Sequence, residues 1–192
     1  MTTGPRTRLI ESAIELVRER GVHAAGLAAL LERGNASRNS LYQHFPAGKS
    51  ELVETATRVA GARIDAVIDK VTAAPPGRWF DSLLGWWVAA LEKTGYRAGC
   101  PVVAAALAES EPGVQAAAGE VFAAWHERLG AALVAAGVPA EEARSFSSFA
   151  FSAMEGAIVQ ARAMKSTRPL EDAQRQLAVL LANYLPEGGE SR

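Results

Sequence analysis

Apolar residues recur along almost the whole chain at intervals of three and four, the spacing that lines one side of an α-helix, and no segment alternates with the period of two that marks a strand. The first such segment covers residues 8–21, with Leu9, Ile10, Ala13, Ile14, Leu16 and Val17 on its apolar side and Gly21 as its stop. Residues 1–5 before it read as a loose arm. Two short helices are predicted next, one over 27–33 ended by Gly34-Asn35, the other opening after Ser37 and stopped by Pro46. A long helix follows over 49–71 and is broken by Ala73-Ala74-Pro75-Pro76-Gly77. Residues 79–91 are apolar nearly all round, which predicts a buried helix. Pro101 suits the first position of a short helix through Ala108. Three long segments complete the pattern: one carrying Val114, Ala118, Val121, Phe122, Trp125, Leu129 and Leu133 and ending near Gly137, one over 141–165, and one from 170 to 184 or 185. The expected fold is all-α, with short helices near the amino terminus joined by a long helix to a larger helical body.

The stretch Ser37-Arg38-Asn39-Ser40-Leu41-Tyr42-Gln43-His44-Phe45-Pro46-Ala47-Gly48-Lys49 adds chemistry to this pattern. Ser37 is a good N-cap, and Leu41 and Phe45, four apart, fall on one side of the helix. With that side buried, a wheel of 3.6 residues per turn puts Asn39 and Gln43 opposite, flanked by Ser40 and Tyr42. The outward face is therefore all hydrogen-bond donors and acceptors. Lys49 opens the next helix, where a cation opposes the macrodipole, an arrangement that makes more sense with an anion such as a phosphate nearby. Helix, turn and helix within about twenty residues form the helix-turn-helix pattern, in which the second helix reads DNA.

Leu41-Tyr42-Gln43-His44-Phe45-Pro46 followed by Gly48-Lys49-Ser50-Glu51-Leu52 resembles the recognition helix and following turn of the TetR family of bacterial transcriptional regulators. A second block, Met154-Glu155-Gly156-Ala157, Ala161-Arg162-Ala163 and Ser166-Thr167-Arg168-Pro169-Leu170, resembles the effector domain of the branch that includes the LmrA and YxaF regulators. The resemblance implies a helix-turn-helix head over 1–50 and a ligand-binding and dimerisation body over 51–192. It assigns Tyr42, His44 and Lys49 to the DNA backbone. Arg38, Asn39, Ser40 and Gln43, near or on the reading face, complete the expected DNA-binding set. It also implies a homodimer on a palindromic operator, with Phe146, Phe149 and Leu181 as candidate contacts between copies or, equally, members of the monomer core. One departure stands in the first short helix, where relatives usually carry a threonine and then a serine or glycine. Here the chain reads Ala24-Ala25-Gly26-Leu27-Ala28-Ala29, which predicts a weak glycine cap and weaker backbone contacts there.

Charge supports the division. Net charge is −1 overall, but residues 1–50 hold seven Lys/Arg (Arg6, Arg8, Arg18, Arg20, Arg33, Arg38, Lys49) against four Glu, while the remainder holds 13 against 17. A basic head on an acidic body fits DNA binding by the head alone. Arg6 and Arg8 read as solvated terminal charges, with a brush against a DNA backbone as the alternative, and His23 reads as a surface histidine.

The single Cys100 excludes an intrachain disulfide and a cysteine-based zinc site. With no secretory signal and no apolar run approaching about 18 residues, a cytoplasmic protein without membrane contact is expected. Cys100 with His126, or Glu109, Glu111, Glu120 and His126 together, lack the spacing of a catalytic pair or metal site. No enzyme activity, metal or cofactor is expected; a helical enzyme or carrier of apolar small molecules is the first alternative and a helical protein-interaction module the second. The concentration of Trp86, Trp87, Phe122, Trp125 and Phe151, with Cys100, on helical faces predicts core packing or, by resemblance, the lining of a pocket for a small lipophilic effector.

Overall fold

The structure, a computed structural model, describes residues 4–185. Among these residues nine α-helices and one 3-10 turn succeed one another with no strand: α1 (Pro5–Ala24), α2 (Leu27–Arg33), α3 (Arg38–His44), α4 (Lys49–Thr72), the turn Pro76–Arg78, α5 (Trp79–Lys93), α6 (Pro101–Ala106), α7 (Pro112–Ala135), α8 (Ala140–Met164) and α9 (Arg168–Tyr184). Of the expected arm, residues 1–3 lie outside the described residues, and Pro5 already occupies the first turn of α1, where its fixed φ is suited to a helix and its missing N–H costs nothing. α1 is regular as far as Gly21, whose φ of 81° and ψ of 169° lie in a region essentially reserved for glycine. The last residues of the span are a separate turn beyond that break.

The residues cluster into two compact units, Met1–Ile64 with Arg97–Phe122 and Asp65–Tyr96 with Ala123–Arg192. These units do not part at Ser50, where the charge pattern divides the chain. The reason lies in α6, which packs against α1: Arg18 Nε donates to the Gly99 carbonyl at 2.9 Å, and the Gly99 N–H donates to the Arg18 carbonyl at 2.9 Å. Glu111 accepts from Ser50 Oγ at 2.7 Å, and Arg58 bridges Glu54 and Glu120. At Gly61 the α4 backbone lies so close to Val121 that a Cβ would stand 2.6 Å from its methyl groups, so only glycine fits this crossing.

In the second unit, α5, α8 and α9 pack through aromatic contacts. Phe80 meets Phe146 at 5.7 Å between ring centroids, Phe146 meets Tyr184 at 5.6 Å, and Phe151 meets both Trp125 and His126 at 5.6 Å. Ser147 Oγ, inside this core, donates to the His126 carbonyl at 2.8 Å. The expectation that the 79–91 helix is buried all round needs correction. Trp79, Phe80, Leu83, Leu84, Trp87 and Leu91 are buried, but Asp81, Ser82, Gly85, Trp86 and Ala89 form an exposed strip. Small and polar residues at 81, 82, 85 and 89 leave that side without enough apolar surface to recruit a further helix.

Candidate nucleic-acid interface

α3 forms as its sequence dictates. Ser37 has extended backbone angles and its Oγ accepts the Ser40 N–H at 3.1 Å, the N-cap bond that satisfies one orphan donor of the first turn. Leu41 and Phe45 are buried, which anchors one side of the helix. Arg38, Asn39, Tyr42 and Gln43 are consequently exposed, whereas Ser40 and His44 are half-buried at its edges. The wheel argument thus places the expected reading face outward.

The frame behind α3 comes from α1 and α2. Ser12 Oγ, itself buried, donates to the Leu30 carbonyl at 2.8 Å and bolts α2 to α1. Arg8 then spans the turn between α2 and α3, donating from Nε to Gly34 O at 3.1 Å and from a terminal nitrogen to Asn35 O at 3.2 Å. A guanidinium on carbonyls at the negative end of α2 is favourable by the helix dipole. Arg8 therefore has a structural post, which the reading of it as a solvated terminal charge did not anticipate. Asn35 sits at a φ of 43°, tolerable because Asn adopts the left-handed region more readily than most residues. α2 begins at Gly26 with extended angles and no side-chain cap, in keeping with its missing hydroxyl.

Beyond α3 the chain turns through Pro46, Ala47 and Gly48. Gly48 N–H donates to Phe45 O at 2.8 Å, and Glu51 Oε2 accepts the Ala47 N–H at 2.8 Å. Gly48 has a φ of 77°, and a Cβ there would stand 3.3 Å from Tyr42 Cε1. Hydrophobic patterning does not reveal what this glycine does for its neighbour: it backs the Tyr42 ring, which is 50% exposed. Lys49 shows a partner the sequence left unseen. Its Nζ donates to Val22 O at 2.9 Å, so the cation is held against the last turn of the α1 span, with two N–H donors remaining.

Electrostatics around the site is decided by such pairings. Arg33 is paired with Glu19 at 2.9 Å and lies 3.7 Å from Glu15; the hydrogen bond raises the Arg33 pKa and lowers that of Glu19. Arg18 is turned to Gly99, and its burial lowers its pKa. Among the described residues Arg6 and Arg38 take part in no ion pair; Arg38 projects from α3, and the Arg6 guanidinium lies 5.5 Å from the centroid of the Phe45 ring.

The expected pocket residues differ in burial and are divided between the two units. Trp87, Trp125, Phe151 and Cys100 are buried, Phe122 is half-buried and Trp86 is 39% exposed. Trp125 stacks on Phe151, and Trp86 lies edge-on to Trp87 at 4.8 Å, but Cys100 and Phe122 belong to the first unit and the other four to the second. Cys100 and His126 are likewise divided between the units. Among the described residues no group of three His, Cys, Asp or Glu could hold a metal ion. A groove of about 470 Å³ lies instead between α8 and α9, lined by residues including Ser152, Gly156, Gln160, Met164, Arg168 and Asp172 and by none of the six. Of the residues expected between copies, Phe146 and Leu181 are buried within the chain, and only Phe149, 51% exposed, faces outward. Both buried side chains lie on the sides of α8 and α9 that close the core, an outcome the helical period alone does not distinguish. No helix among the described residues is long and apolar enough to cross a membrane.

Two families match the chain. The family described as bacterial regulatory proteins, tetR family, matches residues 9–56, and the one described as transcriptional regulator LmrA/YxaF-like, C-terminal domain, matches residues 76–176. The HTH-type transcriptional regulator Rv0196 of Mycobacterium tuberculosis is 35% identical over 191 residues, covering 96% of this chain and 97% of that protein. The HTH-type transcriptional regulator YxaF of Bacillus subtilis is 26% identical over 180 residues, covering 92% and 94%. Among solved structures, the regulatory protein TetR from Rhodobacter sphaeroides superposes with a TM-score of 0.83 at 18% identity over 91% of this chain and 97% of that one. A TetR transcriptional regulator from Legionella pneumophila gives 0.81 at 19% over 93% and 98%.

Proposed function

Because the chain belongs to the TetR family of bacterial transcriptional regulators, we propose that it is a homodimeric repressor that holds a palindromic operator through α3 and is released from it by a small lipophilic effector. The observation that carries the DNA half of this reading is the outward set Arg38, Asn39, Tyr42 and Gln43 on a helix fixed from behind by Leu41, Phe45, Ser12 and Arg8. Tyr42, His44 and Lys49 serve the phosphate backbone and set register, while Arg38, Asn39, Ser40 and Gln43 face base edges. Residues 1–50 supply the reading head, and the remainder supplies effector binding and pairing of copies. Such regulators bind operators as dimers, and half-sites about one helical turn apart, roughly 34 Å or a multiple, would match two reading helices.

Support for pairing of copies is the exposed apolar surface of α8 and α9, where Phe149, Val159, Met164 and Val179 stand beside the small-residue groove at Gly156. Support for a lipophilic effector is the aromatic content of the second unit, since small-molecule sites are mostly apolar with few polar groups. A ligand lowers DNA affinity only by its preference for the DNA-incompetent state, commonly about 1–3 kcal/mol of coupling. Tryptophan fluorescence titrated with hydrophobic compounds beside operator release separates binding from regulation; quenching without release refutes the regulatory half.

A gel shift with DNA flanking the chain's own gene tests the whole. Tyr42→Ala and Lys49→Ala are expected to weaken binding, the latter also flattening the dependence of log affinity on log salt by about one unit. Tyr42→Ala should leave thermal unfolding nearly unchanged. Lys49→Ala also loses the bond to Val22 O, a hydrogen bond of the kind that contributes about 0.5–1.5 kcal/mol or more when charged. Undiminished DNA binding by the double variant overturns the assignment.

A further inference from the structure

We propose that Arg6 is a DNA-backbone contact, a phosphate clamp flanking the carboxyl-terminal end of the reading helix; this rests on the helix-turn-helix function proposed above. The first turn of α1 contains no acidic residue and holds both Arg6 and Arg8, so two cations stand at the positive end of a helix dipole. Arg8 is compensated by the carbonyls of Gly34 and Asn35. Arg6 has no such acceptor among the described residues and is exposed.

What orients Arg6 is Phe45. Its guanidinium carbon lies 5.5 Å from the ring centroid, within range of cation–π attraction, and the ring is itself buried and fixed as the C-cap residue of α3. A side chain that would otherwise sample many rotamers is thereby drawn to one place beside the reading helix. Cation–π attraction to the ring uses none of the five guanidinium N–H donors as a hydrogen bond, and a planar fork of such donors suits a phosphate. A reading helix in the major groove has sugar–phosphate backbone along both flanks, so a cation beside the end of α3 meets the anion that the α1 dipole leaves it without.

Fluorescence anisotropy with a labelled duplex of DNA flanking the chain's own gene, over about 50–200 mM salt, tests this with wild type, Arg6→Gln, Arg6→Lys and Tyr42→Ala. Arg6→Gln is expected to lower the magnitude of the log–log salt slope by about 0.9 and to weaken binding roughly 3- to 10-fold at the lower salt. Arg6→Lys, which keeps the charge, should keep the slope. Circular dichroism should report unchanged unfolding for both. If Arg6→Gln retains the wild-type slope while Tyr42→Ala weakens binding, the Arg6 proposal is wrong and the reading helix stands. If Arg6→Lys and Arg6→Gln weaken binding equally with the slope intact, Arg6 only packs on Phe45 and the proposal also falls. Failure of wild type and Tyr42→Ala alike to bind the duplex removes both readings together.

Discussion

Replacing Gly48 by alanine separates two costs that a substitution near a functional side chain usually mixes. The first is backbone strain: at a φ of 77° an L residue is left-handed, which costs about 1–2 kcal/mol. For a chain of 192 residues this corresponds to a fall in Tm of roughly 2–8 °C. The second is displacement, because the new Cβ would stand 3.3 Å from Tyr42 Cε1, tighter than ordinary contact. Tyr42 is half exposed and gives way more easily than the turn, so its hydroxyl leaves the position from which we propose it meets the DNA backbone. Losing one hydrogen bond of about 0.5–1.5 kcal/mol weakens DNA binding about 2- to 10-fold. Gly21→Ala is a companion case of strain without displacement, since Gly21 has a φ of 81° and nothing within 4 Å of the added carbon; its ψ of 169° makes that strain the larger of the two, so it is read by Tm and not by DNA affinity. Anisotropy titrations at a temperature where every variant is folded, run as a double-mutant cycle with Tyr42→Ala, read the second cost directly. Once the Tyr42 ring is gone, Gly48→Ala should have no further effect on DNA affinity. An equal loss in the wild-type and Tyr42→Ala backgrounds refutes the idea that Gly48 acts through that ring.

Phe149→Glu is expected to dissociate copies while leaving the helical circular dichroism intact, whereas Leu181→Glu, at a side chain only 1% exposed, should unfold the second unit; sedimentation velocity beside circular dichroism distinguishes them. A chain that sediments as a stable monomer before substitution contradicts the proposed pairing. His126 supplies a pH test. Burial lowers its pKa from the ordinary 6.5, so the unfolded chain binds the proton more tightly. The stability from a neutral folded His126 is thus present above pH 6.5 and is lost as pH falls from there toward the folded pKa. His126→Gln should flatten the change of Tm with pH in that window, and an unaltered profile would exclude this residue as its source.

Much of the architecture was legible because helix signals are local. Apolar spacing, the Ser37 cap, Gly21, Pro46 and Pro101 set helix limits within a few residues of those observed, and anchoring by Leu41 and Phe45 fixed which side of α3 faces outward. These depend on atoms a turn apart, and the sequence by itself contains that distance. Tertiary structure alone decided which apolar sides close the core. Phe146 and Phe149 lie three apart on α8, yet one is buried beneath Phe80 and the other is exposed. The same holds for charge: the surplus of cations in the first 50 residues is countable, but whether each is committed depends on groups distant in the chain. Gly34 and Asn35 engage Arg8, Gly99 engages Arg18, and Val22 engages Lys49, while Arg6 is left on the ring of Phe45. Helical period specifies a direction around an axis; what stands in that direction is set by how the helices pack, which no local pattern encodes.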